Sequence, residues 1–225
     1  SVSHLNFGPV EDEGRYLAIA FWPDKRGMIP RSLSQLIADE DPVVDDPQAF
    51  AEVSVAARGL FAMERLLFDP QFDAETPYHC ALTRAVATDL ARMGAEIEAD
   101  WVGFADLMRT AGEAGNTRFL SPREPLLTLY TALMSGLEVT KDQRLGRPLG
   151  TLERPRPTRA EARRSGRSLR NVMLSLRAAH DLADALQDSP IPRVQDALDS
   201  AEQAAGRIET ADFSDIEDLG ARFKV

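Results

Sequence analysis

The sequence is poor in the residues that make most catalytic and metal centres. Cys80 is its only cysteine, so an intrachain disulfide and a cysteine-based metal cluster are both excluded. His4, His79 and His180 are the only histidines. No two of them sit at helical ligand spacing, and no His-Glu-x-x-His element is present, which removes a zincin site. A Gly-rich phosphate loop and a nucleophile elbow are also missing. No apolar run reaches the roughly 18–20 residues of a membrane span. Ser1 is followed by neither a basic start nor an apolar stretch, so the sequence as it stands reads as a soluble, mature or trimmed product. A basic excess is lacking too: the formal net charge is −10, which argues against nucleic acid as a partner. Strand-like alternation and β-branched runs are scarce, so the expected fold class is all-α.

What is abundant is helix-forming sequence punctuated by proline. Phe7-Gly8-Pro9 and Phe21-Trp22-Pro23-Asp24 flank a short helical candidate at 11–21, and another follows at 31–39. Asp46-Pro47 places an acidic cap before a first-turn proline, the signature of a helix start, and predicts a helix over 47–68. Thr76-Pro77 repeats the device for a long helix to about 111, and Ser121-Pro122 opens another to about 141. Thr158, with Glu161 at the capping-box position, predicts a helix over 159–187. Helices over 193–208 and 212–223 complete the reading. Gly112, Gly115 and Asn116 break the chain. A division into residues 1–118 and 119–225 gives each side enough amphipathic helices for a bundle-like lobe.

Some residues break the apolar pattern. On a helix over 47–68, Phe50, Val53, Ala57, Leu60 and Leu67 share a stripe, and Glu64 falls in its middle. A carboxylate there is expected to be buried or to face a neighbouring helix, paired or protonated. Either a structural ion pair or a ligand carboxylate satisfies that demand. Gly59, inside the same helix, reads as close helix packing or as room for a ligand. On the 159–187 helix, Val172, Leu176, Ala179 and Ala183 form an apolar stripe that turns polar at Ser168, Ser165 and Glu161. Lys141 and nine arginines between Arg144 and Arg170 meet only Asp142, Glu153 and Glu161. This basic stretch is either a solvated face or a binder of anions and buried carboxylates. Arg144 continues the line of Tyr130, Leu133 and Leu137 and is the arginine expected to point inward. His79, beside Leu82 and Val86, reads as a satisfied core histidine.

Several of these segments resemble one family. Gly59-Leu60-Phe61-Ala62-Met63-Glu64 is similar to the Gly-x-His-x-x-Glu motif of imelysin-like proteins. Phe7-Gly8-Pro9 resembles the family's early FGP, and Phe21-Trp22-Pro23-Asp24 the text of one subgroup. The run Lys141–Gly150 is similar to the segment before the family's last helices, and Glu161–Leu169 to its Glu…Ser…Ser-Leu pattern. The resemblance extends from Phe7 to about Leu182. The long helix that ordinarily precedes the FGP segment is not seen.

The resemblance implies two helical-bundle lobes with a site at their interface. It implies export to the periplasm or outer membrane, a link to bacterial iron uptake, and iron-uptake or periplasmic redox proteins as partners. Gly59 and Glu64 match the motif; Glu161, Ser165 and Ser168 match the later pattern. Phe61 stands at the motif histidine. The parent pair lies one helical turn apart, so both side chains approach one metal. Phenylalanine donates no lone pair, leaving Glu64 as the sole candidate ligand for iron or another divalent metal. Phe61 is expected to pack in the interface and narrow the pocket, with Glu64 facing Arg144 and Ser165. A binding or accessory protein of iron uptake is the leading expectation. A metallopeptidase and an interaction protein with a vestigial pocket are the alternatives.

Overall fold

A computed structural model describes residues 7–74, 76–187, 189 and 191–217. Among them the regular structure is helical, apart from one isolated bridge between Thr151 and Arg154. Among the described residues no helix is long and apolar enough to cross a membrane. The described chain forms two compact units, residues 8–105 and residues 106–217 with Phe7. The division expected at 118/119 thus meets a break that lies within a helix.

The first unit opens with tight turns and a short helix, α1 (Arg15–Ile19), then α2 (Met28–Asp39). The helix expected over 47–68 is three pieces: α3 (Pro47–Ala51), a 3-10 turn at Val55–Ala57, and α4 (Gly59–Phe68). Asp46 caps α3 as its sequence predicts, accepting from the backbone N–H groups of Gln48 at 2.9 Å and Ala49 at 3.2 Å. The chain then breaks because other groups satisfy the backbone. Ser54 accepts from Ala56 N–H at 3.3 Å, Arg58 is extended, and Gly59 has φ +79°. That positive φ places the glycine at the start of α4, not in a helix interior. A Cβ there would lie 2.2 Å from the Ala18 carbonyl oxygen, so α1 and α4 meet backbone to backbone. The break also resets the helical phase: Leu60 and Leu67 are exposed, while Phe61, Ala62, Glu64 and Leu66 are buried. α5 (Pro77–Arg109) begins at the Thr76-Pro77 signal, where Thr76 accepts from His79 N–H at 3.1 Å.

The second unit begins in the last turn of α5. α6 (Arg123–Glu138) runs without interruption into a π-helix at Val139–Gly146, followed by a short α7 (Arg147–Leu149). α8 (Ser168–Ala185) and α9 (Pro192–Ala205) follow. α8 packs on α6, the π-helix and α9. Val172, Leu176, Ala179 and Ala183 are buried along one face of α8, the stripe that the 3.6-residue period demands. Val172 and Leu176 join Ala160, Ala205 and Phe213 in the core. The helix predicted from 159 starts only at Ser168. Pro157–Arg159 is a 3-10 turn, and Ala162 (φ +50°) and Gly166 (φ +63°) turn the chain before α8. The helix expected over 212–223 falls partly outside the described residues; its described part holds a 3-10 turn at Ser214–Glu217.

Candidate functional site

In the first unit Glu64 is 8% exposed on α4. One turn earlier Phe61, also buried, stacks on Trp22 with ring centroids 6.3 Å apart and planes 23° apart. The Phe61 ring is therefore a packing element one turn from Glu64. His79 makes a hydrogen bond through Nε2 to the Leu66 carbonyl at 3.1 Å, and so is held by the backbone. Among the described residues no group of three His, Cys, Asp or Glu is placed to hold a metal ion.

A second buried charge cluster lies in the same unit. Asp89 on α5 is 3% exposed and Arg58 is 7% exposed. Arg58 donates from Nε and Nη2 to the two Asp89 carboxylate oxygens at 2.7 and 3.1 Å, a fork that matches the carboxylate. Its Nη1 donates to the Ala51 carbonyl. Arg92 adds a bond to Asp89 at 2.7 Å and another to Glu96 at 2.7 Å. The Asp89 bond, offset in part by burial, pushes the Arg92 guanidinium above its ordinary pKa. A cleft of about 240 Å³ opens on Asp89 and Arg92. Sequence reasoning missed both Arg58 and Asp89.

In the second unit the π-helix carries Thr140 and Arg144 inward, 3% and 2% exposed. π-helical turns are rare and recur at functional sites. Arg144 donates from Nε to Glu161 Oε2 at 2.6 Å and from Nη2 to Oε1 at 3.4 Å. Its Nη1 donates to Ser175 Oγ. Asn171 Nδ2 also reaches Glu161 Oε2, at 3.3 Å, and Ser168 Oγ donates to the Glu161 carbonyl at 2.6 Å. Glu161, 3% exposed, is thus a buried acceptor centre rather than a helix cap. Ser165 sits in the turn before α8, where its hydroxyl donates to the Ala162 carbonyl at 3.1 Å.

The structure therefore brings Arg144, Glu161 and Ser168 into one cluster and adds Ser175 and Asn171. Gly59, Phe61 and Glu64 belong to the other compact unit. An apolar groove of about 520 Å³ lies between the π-helix, α8 and α9, and none of the sequence-predicted site residues lines it.

Comparison with known proteins agrees with this architecture. No curated protein matches the chain. An imelysin-like protein from Psychrobacter arcticum 273-4, known from its crystal structure, superposes with a TM-score of 0.73 at 16% identity. The match covers 99% of this chain and 70% of that one, and at such low identity it speaks to the fold. The family model for imelysin, Peptidase_M75, matches residues 1–225. The chain belongs to the imelysin family.

Proposed function

We propose that this protein is an exported, non-catalytic member of its family that serves bacterial iron uptake as a binding or accessory protein. The observation that carries the reading is the Phe61 ring, stacked on Trp22 one turn from Glu64; by resemblance this residue stands where the family motif has histidine. A metallopeptidase needs a metal with an open coordination position and an activated water. A carboxylate one turn from a phenylalanine supplies neither the second donor nor the geometry. What remains are buried polar groups suited to recognition: Glu64 in one unit, and Arg144 with Glu161 in the other. In this reading Glu64 supplies an acceptor in its unit and the Arg144 cluster supplies donors in its own, each taken by itself as a recognition group.

Complementation tests it in the source bacterium. A deletion strain is expected to grow poorly under iron chelation, and the wild-type gene to restore growth. A folded Glu64→Gln protein is expected not to. Full growth of the deletion strain, or full rescue by Glu64→Gln, contradicts the reading. Fractionation is expected to recover the protein with the periplasm or outer membrane. In calorimetry, ferrous iron is expected to give no saturable heat. Saturable binding lost in Glu64→Gln would restore a metal role for the site.

A further inference from the structure

The segment between the π-helix and α8 concentrates positive charge on a fixed backbone. Gly150 N–H donates to the Gly146 carbonyl at 3.0 Å, and Arg156 N–H to the Pro148 carbonyl at 2.8 Å. Thr151 and Arg154 exchange backbone bonds of 3.2 and 3.1 Å, and Arg159 N–H reaches the Arg156 carbonyl at 2.9 Å. Gly150 has φ +64°, and a Cβ there would lie 2.3 Å from the Arg154 carbonyl oxygen and 3.3 Å from Arg156 Cγ. The two ends of the segment are therefore pressed together, and the loop is a built element rather than a loose connection.

These backbone bonds hold Arg154, Arg156 and Arg159 on one short, folded segment. Glu153 is the only acid between 146 and 160. Among the described residues Arg154, Arg156 and Arg159 form no ion pair with it or with any other carboxylate. That is unusual in a chain of net charge −10, where acidic partners are plentiful. The arginines instead oppose one another. Arg159, with burial and Arg154, pulls the Arg156 guanidinium below its ordinary pKa. Burial, then Arg159, does the same to Arg147. Like charges held close on a rigid loop cost stability unless an anion lies between them. The guanidinium fork is matched to phosphate oxygens, which accept two parallel N–H bonds.

We infer that the loop from Gly146 to Ala160 is a binding site for a multiply charged phosphate group, held by Arg154, Arg156 and Arg159. The site is independent of Glu64. Its phosphate is either free in solution or borne by a lipid headgroup, and the two sources are separable. Pyrophosphate serves as the soluble probe, and vesicles of phosphatidic acid in phosphatidylcholine as the membrane probe.

Pyrophosphate titrated into the whole protein at low salt is expected to bind saturably and to raise the melting temperature. The Arg156→Gln/Arg159→Gln double variant is expected to lose at least tenfold in affinity. Without ligand it is expected to melt no lower than wild type, because repulsion has been relieved. Glu64→Gln is expected to bind pyrophosphate as wild type does. Vesicle binding that pyrophosphate displaces assigns the phosphate to a lipid; soluble binding without vesicle binding assigns it to a free ligand. Equal affinity in wild type and double variant overturns the inference. So does the absence of saturation by pyrophosphate, or vesicle binding that pyrophosphate leaves untouched. Should the double variant not fold, Arg154→Gln, at an exposed position, supplies the comparison and is expected to lose at least threefold.

Discussion

Asp89 and Arg58 show what a buried charge demands of its neighbours. Each side chain is less than a tenth exposed, and each is held by more than one hydrogen bond. Arg58→Met strips Asp89 of its fork and leaves Arg92 alone to face it. Removing one partner of a buried pair costs about 3–5 kcal/mol, and the surviving Arg92 bond puts this case near the low end. Urea unfolding measures it; a loss below about 1 kcal/mol would mean the pair is not buried as described. Gly59→Ala is expected to be as damaging, because the added methyl meets the Ala18 and Ile19 carbonyls while the backbone holds φ +79°. An unchanged melting temperature would refute the close approach of α1 and α4. Asp89 was legible in the sequence by the same rule that singled out Glu64. It interrupts the stripe Leu82, Val86, Met93, Ile97, all buried on α5. Arg58 was not legible, because it precedes Gly59 outside any helical period and finds Asp89 across 31 residues of sequence.

Helix starts carrying proline after a capping residue were readable, since the cap and the ring act locally. Helix interruptions were not. Nothing in the apolar pattern announces that Ser54 and Gly59 break one predicted helix into pieces, or that Arg144 outcompetes a capping role for Glu161. Those outcomes are decided by tertiary partners. The turn that replaces the start of the predicted 159–187 helix bends at Ala162, a non-glycine residue with φ +50°. Ala162→Gly is expected to stabilise the protein by about 1 kcal/mol in chemical unfolding. A loss of stability would mean that the methyl contributes more by packing than the strain costs. The α8–α9 pair depends on pH through His180. Its ring meets Gln195, Asp184 and Glu202, and the Gln195 hydrogen bond, with Asp184, Asp199 and Glu202 nearby, raises its pKa. A raised histidine pKa means the protonated ring favours the fold. Its contribution is complete below the unfolded-state value of about 6.5 and disappears as pH rises through the folded-state value. The melting-temperature gap between wild type and His180→Asn is expected to be larger near about pH 5.5 than near about pH 8.5. A gap independent of pH would remove His180 from the account.

For the whole molecule, the all-helical class follows from composition and from what the chain lacks. The ordered set of motifs along the sequence is itself enough to point to the imelysin family. The sequence could not place the unit division within α5, because a continuous amphipathic helix carries no mark where its contacts change from one core to another. The family's name carries the word peptidase, and the central claim here is that this chain binds without cleaving. Incubation with unfolded casein, with and without chelator, tests that claim most directly. The account predicts no chelator-sensitive cleavage, and the same result for wild type and Glu64→Ala. Cleavage that the chelator stops, and that vanishes in Glu64→Ala, would contradict it.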